Sequence, residues 1–559
     1  MSFSRIILAS LALAACSTEL KQAAPERTPA APEEVSGLTV FTGGTIYTGN
    51  GLETVSSVLV GADGRITAVA PPMSEDWDDS EVTLVDLHGA VMFPGFVDGH
   101  AHLYGIGDRE LRLNLEGTAS IGELVTRIEA ELDGKPAGTL LVGRGWIETG
   151  WPEGRMPVAA DLDAVSPDHP VILFRADGHA LVANSAAMVL AGISDDTPDV
   201  EGGKIERDEN GVATGLFIDN AMGVFFALQT APSLQEIEYT YKVAGQTYAA
   251  RGWTGVHNMS VPPEHAEVLA RLDGEGAMPL RLYNAYDAAG FALAEQRLHE
   301  TDTITNRAVK IYMDGALGSR GALLIEPYSD RPATSGLSLM EPEKLDETMA
   351  EADARGVQLA IHAIGDLANR RVLQAFEQGG YGQDHRWRIE HTQILHPDDI
   401  ARLAELGLVA SMQPSHAIGD LKFAPDRLGL VRLRGAYAWQ SLLNAGAVVL
   451  GGSDAPVEVG SPLIEFYAAV ARRDLEGWSG EGWHPEEALT REQALALFTT
   501  APAYGAFMED ELGTIEPGKR ADFTVFDRDL MTVPEADILT ATALMTVVEG
   551  EIVYSALAE

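Results

Sequence analysis

Cysteine is almost absent from this chain. Its 559 residues include one, Cys16, so no disulfide can close within the chain and no cysteine-based zinc motif can form. Basic residues are scarce as well. Lys and Arg number 39 against 83 Asp and Glu, a formal charge of −44. That excludes a generally basic nucleic-acid binder and disfavours adhesion to anionic lipid by charge alone. No internal run of about 20 apolar residues occurs, so the mature chain is not expected to span a membrane. There is no H-E-x-x-H, no G-x-x-x-x-G-K-[ST] and no well-placed G-x-G-x-x-G. The segment "ANSAA" around Ser185 lacks the glycine frame of a serine-hydrolase elbow.

What remains is ordinary globular material. Hydrophobic residues at 46% and charged ones at 22% argue against a disordered chain. The length calls for one large domain with an accessory one. The first residues read as an address. Arg5, the largely apolar stretch Ile6 to Ala15 and then Cys16 form a secretory signal pattern. Leu13-Ala14-Ala15-Cys16 resembles a bacterial lipoprotein signal box, which implies lipidation of Cys16. An ordinary signal peptide with a chance cysteine is the plainer alternative. The expectation is a signal peptide over 1–15, a flexible tether over 16–36 and export across the inner membrane. The mature protein would then be a periplasmic or cell-surface lipoprotein, touching a membrane only through its N-terminal lipid.

Residues 37–90 and 505–559 are rich in short alternating segments and Asp-Gly turns, such as "SSVLVGADGRITAVA" and "GTIEPGKRADFTVFDRD". Both ends are expected to form one small β-sandwich. Between them, over 91–504, apolar strands alternate with polar helical stretches. The strand candidates are Val91–Phe96, Gly255–Met259, Leu280–Ala285, Ala308–Met313, Val357–Ile361, Trp387–Ile389, Leu408–Met412 and Ala447–Gly451. Continuous apolar strands of this kind suggest a parallel sheet covered by helices, and eight of them match a (β/α)₈ TIM-type barrel. The long first gap implies an insertion over about 138–232, containing Trp146, Trp151 and His179.

Polar residues recur where these strands end, and in a barrel those ends converge. His100 and His102, at i and i+2 on extended backbone, point the same way and can share one ion at about 2.0–2.1 Å. His362, His391 and Asp454 end later strands, and Lys310 sits inside an apolar one. An uncompensated lysine there is costly. Each residue alone has a structural explanation: a backbone-bonded core histidine, a helix-capping aspartate, a snorkelling lysine. Five coincidences together argue for a site.

The ordered motifs "PGFVDGHAH", "VKIYMDGALGSRGA", "AIHAIGD", "RIEHTQ" and "GGSDAPV" resemble the amidohydrolase superfamily, and within it the family 3 branch that includes N-substituted formamide deformylase-like proteins. That resemblance implies two divalent metal ions, zinc by default. His100 and His102 would hold the first ion, and His362 and His391 the second. Lys310 would become a carbamate with CO₂ and bridge them. Asp454 would ligate the first ion and shuttle the proton. The implied reaction is hydrolysis of an amide-type, non-peptide or N-acyl C–N bond in a small molecule by a metal-bridging hydroxide. Two rivals stand beside it: a mononuclear aminohydrolase that deaminates a heterocycle, and a non-catalytic surface lipoprotein of the same fold. His179, His257, Arg320 and His416 are candidate substrate contacts. For Arg320 a loop salt bridge is the plainer reading, and His257 leans towards a structural role. Asp314 would orient the lysine region or cap a turn. Relatives of this kind self-associate, so a homo-oligomer is open, although no self-complementary stripe sets its size.

Overall fold

The computed structural model describes residues 37–70, 82–176, 178, 180–200, 203–228 and 232–557. The signal and tether segments, Cys16 and His179 lie outside the described residues. No described helix is long and apolar enough to cross a membrane.

The larger of two compact units holds an eight-stranded parallel sheet. Its strands are β1 (Phe96–Ala101), β2 (Trp253–Val261), β3 (Arg281–Tyr286), β4 (Ile304–Tyr312), β5 (Gln358–Ala363), β6 (Arg388–His391), β7 (Val409–Met412) and β8 (Val448–Gly451). Each pairs in parallel with its neighbour in chain order, from β1 round to β8. The sheet curls into a nearly closed barrel. At the seam, a Cβ on Gly99 would lie 2.5 Å from the Gly451 carbonyl oxygen, so only glycine lets β1 approach β8. The Asp454 N–H then donates to the His100 carbonyl at 2.6 Å. The connecting helices follow ordinary signals. Pro342 opens the helix Pro342–Arg355, and Gly356 at φ 64° ends it and turns the chain into β5.

The first strand differs from expectation. Val91–Phe96 is not a single barrel strand. Val91–Pro94 belongs to another sheet, and the barrel strand starts at Phe96. Pro94-Gly95 separates them, because proline supplies no N–H for a ladder. Val91–Pro94 pairs antiparallel with Phe523–Phe526 near the other end of the chain. Together with Leu38–Tyr47, Thr54–Val60, Ile66–Val69, Val82–Asp86, Ala543–Val548 and Glu551–Ser555 these strands make one eight-stranded sheet drawn from both ends. Phe41, Met92, Phe523 and Val547 are buried in its apolar core. The Phe96 N–H donates to Thr524 Oγ1 at 3.0 Å, and that hydroxyl donates to the Gly252 carbonyl at 2.8 Å. The base of β1 and the approach to β2 are thereby tied to the terminal sheet.

The smaller unit includes Leu111–Thr230. Its six strands run from Leu113–Asn114 to Ala213–Asp219 in one mixed sheet. The unit takes in residues before 138 because Leu113–Asn114 pairs in parallel with Leu141–Trp146. Trp146 and Trp151 are buried in its core, donating to the Leu173 and Thr118 carbonyls. They pack this unit.

Candidate metal centre

His100 lies within β1, and His102 follows it directly. The Nδ1 atoms of three histidines are occupied by protein partners. His100 Nδ1 is 2.5 Å from Glu390 Oε2, His102 Nδ1 is 3.1 Å from the Met259 carbonyl, and His391 Nδ1 is 2.8 Å from Gln413 Oε1. A neutral imidazole that donates from Nδ1 carries its lone pair on Nε2. These bonds therefore assign the tautomer that a metal requires. His100 Nε2 is 3.4 Å from both Asp454 Oδ1 and Lys310 Nζ. His102 Nε2 is 3.2 Å from the same Asp454 oxygen. One ligand atom each from His100, His391 and Asp454 lies within 4.8 Å of the others. The His362 ring is 4.5 Å from that of His391. Residues scattered from 100 to 454 thus meet at one point. Neutral imidazoles, a carboxylate and an amine form an N/O donor set that fits divalent cations.

Electrostatics agree with this fit. Burial lowers the pKa of His102, and pushes His362 and His391 well below the usual imidazole value. They are uncharged at neutral pH, as ligands must be. Burial also brings Lys310 down to about 8. For Asp454, burial acts upwards, but the His100 and His102 imidazoles beside its Oδ1 outweigh it and hold the carboxyl well below the usual range. The centre therefore keeps a permanent carboxylate beside an amine that gives up its proton easily.

Arg388 and Glu390 underlie the site, both fully buried. Arg388 Nε donates to Glu390 Oε1 at 2.7 Å, and its other nitrogens reach the Gly99 carbonyl, Ser411 Oγ and His257 Nδ1. Burial would raise the Glu390 carboxyl, but Arg388 and His100 hold it well below its usual range. Three residues at strand ends adopt left-handed backbone: Ser260 at φ 55°, His391 at 74° and Asp454 at 59°. Side chains other than glycine tolerate this region at a cost of about 1–2 kcal/mol, and such strain concentrates at functional sites.

The other candidates divide. His416 joins the centre: its Nε2 is 3.6 Å from Asp454 Oδ2, and its ring stacks 5.9 Å from His391. His257 does not end β2, which continues to Val261. It lies deeper, bound to Arg388, because the strand stays extended through Asn258-Met259. Arg320 is paired with Asp330 at 2.7 Å, the salt bridge its loop position suggests. Asp314 accepts backbone N–H groups of Leu323, Ile364 and Gly365, fastening the segment after β4 to the end of β5. Its Oδ1 also lies 3.5 Å from His362 Nε2.

Sequence reasoning missed Glu390, Arg388, Gln413, Ser260 and Tyr312. Tyr312 follows Lys310 by two residues on β4, and its ring lies 5.4 Å from that of His362. Strand parity was the available signal, since i and i+2 share a face.

Comparison with known proteins places these motifs. A family model described as amidohydrolase family matches residues 83–554. YtcJ of Bacillus subtilis, whose name marks it as an amidohydrolase, is 33% identical over 92% of this chain and 99% of its own. N-substituted formamide deformylase of Arthrobacter pascens is 29% identical over 89% of this chain and 93% of its own. A crystal structure of an uncharacterized metal-dependent hydrolase from Pyrococcus horikoshii superposes with a TM-score of 0.74 at 29% identity, covering 89% of this chain and 99% of that one.

Proposed function

Because the chain belongs to the amidohydrolase family, we propose that it hydrolyses an amide-type C–N bond in a small molecule, releasing a carboxylic acid and an amine. The observation that carries this reading is the convergence of His100, His391 and Asp454 with Lys310 alongside. His100, His102 and Asp454 would hold one cation, and His362 and His391 a second. Divalent cations bound there supply Lewis acidity and an acidified water. Zinc suits this donor set.

The chain's own groups divide the remaining work. Asp454 presents one oxygen to His100 and His102 and the other to His416. That second oxygen accepts the proton of the attacking water and returns it to the leaving nitrogen. The Lys310 amine, freed of its proton, attacks the carbon of CO₂ and loses a second proton, giving an anionic carbamate. A buried cation is thereby replaced by a two-oxygen ligand. Glu390 and Gln413 orient His100 and His391 through their outer nitrogens. The relationship to an N-substituted formamide deformylase supports N-formyl or N-acyl amines as the substrate class.

The test is a panel of N-formyl amines, N-acyl amino acids, dipeptides and amino-heterocycles, assayed with metal and bicarbonate supplied. Acid and amine release from an N-acyl compound, abolished by a chelator, is the expected result. Ammonia release from an amino-heterocycle alone would overturn the reading in favour of deamination. Tight ligand capture without turnover would favour a binding protein. We also propose that Cys16 carries a lipid that tethers the protein outside the cytoplasm. Cys16→Ala should move the protein from the membrane fraction to the soluble one.

A further inference from the structure

We propose that the hydroxyl pair of Ser260 and Tyr312 hydrogen-bonds the carbonyl oxygen of the substrate and the oxyanion formed from it, so that the substrate is a planar carbonyl compound seated on the Tyr312 ring. The inference rests on the amide-hydrolysis reading and deepens it. Position is the first argument. Tyr312 shares the face of β4 with Lys310, whose Nζ is 5.1 Å from the tyrosine ring centroid. Lys310 is 2% exposed, whereas Tyr312 is 39% exposed. The ring therefore stands where the buried centre opens to arriving molecules.

The second argument is a proton count. Ser260 Oγ and Tyr312 Oη are 2.5 Å apart, and among the described residues neither has another hydrogen-bond partner. Two hydroxyls carry two protons. Their mutual bond uses one, and one O–H remains to donate. The surrounding groups differ from this pair. Asp454 accepts, and His100, His102 and His391 direct Nδ1 away from the centre. A neutral donor suits an oxygen that gains negative charge during attack without competing for the cations.

The third argument is the backbone. Ser260 is held at φ 55°, in the same left-handed region as His391 and Asp454. The carbonyl just before it, that of Met259, fixes His102. One strained strand end thus orients a metal-binding histidine and presents a hydroxyl to its neighbour. No proton or bond is transferred in the proposed step. The hydroxyl donates a hydrogen bond that shortens as the carbonyl carbon becomes tetrahedral.

Holoenzyme with verified metal content provides the test, as wild type, Tyr312→Phe, Ser260→Ala and the double variant. Tyr312→Phe should lower kcat by about 10²–10³ with KM within about threefold, the range for removing one oxyanion donor. The double variant should match Tyr312→Phe, because the two hydroxyls act as one unit. Calorimetric affinity for an N-alkyl methylphosphonamidate, whose tetrahedral phosphorus mimics the adduct, should fall by a similar factor at unchanged metal content. Variants that retain both kcat and this affinity within threefold overturn the proposal. Should Tyr312→Phe not fold, the same criterion applies to Ser260→Ala. A wild type inactive on every amide whose phosphonamidate affinity still depends on Tyr312 removes the amide reading and leaves the hydroxyl site standing. A wild type that neither turns over amides nor binds the phosphonamidate overturns both.

Discussion

His100 Nδ1 and Glu390 Oε2 lie 2.5 Å apart, and neither side chain is exposed. The other Glu390 oxygen takes Arg388, so one carboxylate joins the His100 imidazole of the candidate metal centre to a buried guanidinium. Glu390→Gln keeps the shape but removes the charge. Metal affinity should fall about 10- to 100-fold, the usual effect of losing an outer partner of a ligand. Stability should fall by about 3–5 kcal/mol, because Arg388 is left without its counter-charge. Chelator competition and urea unfolding measure the two effects. Unchanged metal affinity would show that Glu390 serves packing alone.

Asp454→Asn should reduce kcat by about 10²–10⁴, the range for a general acid–base group. The backbone bond from residue 454 to the His100 carbonyl is preserved, so circular dichroism should match wild type. Turnover within tenfold of wild type would remove Asp454 from the proton path.

Lys310 titrates at about 8, brought down by burial. Only the neutral amine reacts with CO₂. At pH 6 about one in a hundred molecules is in that form, and at pH 8 about half are. After removal of metal and CO₂, reactivation at fixed dissolved CO₂ should accelerate from pH 6 to pH 8 and level off above it. Mass spectrometry of the intact holoenzyme should show the added CO₂, and Lys310→Met should abolish it. A rate flat across this range would exclude a rate-limiting reaction at this amine.

Glu465 is buried, and its Oε2 accepts the Ser415 N–H at 3.0 Å. Burial raises its carboxyl to about 8. With the folded pKa above the unfolded one, its contribution to stability is full below about 4.5 and disappears as pH rises through 8. The swing is on the order of 5 kcal/mol. Glu465→Gln should therefore flatten the fall in urea midpoint between pH 6 and pH 9. Identical slopes for variant and wild type would contradict this.

The barrel was legible because its strands are buried on both faces and read as continuous apolar runs. The candidate ligands that converge, His100, His391 and Asp454, were legible because they stand where those runs stop. The first boundary was misplaced because the largely apolar stretch from Val91 to Val97 runs through two strands, Val91–Pro94 and the start of Phe96–Ala101, that serve two sheets. Only Pro94-Gly95 marks the break. Glu390 was hidden by its neighbour. Adjacent residues on a regular strand face opposite ways, yet Glu390 and His391 both reach the same centre because His391 turns to φ 74°. No pattern of side chains announces that turn. Tyr312 was hidden differently. Its parity with Lys310 was visible, but its partnership with Ser260 joins β2 to β4 across 52 positions of chain.

The pairing of Val91–Pro94 with Phe523–Phe526 also sets an order of events during synthesis. The peptide that delivers His100 and His102 emerges from the ribosome early, but the edge that steadies its root is translated near the end. The sheet that anchors this segment is therefore complete only once almost the whole polypeptide has been made.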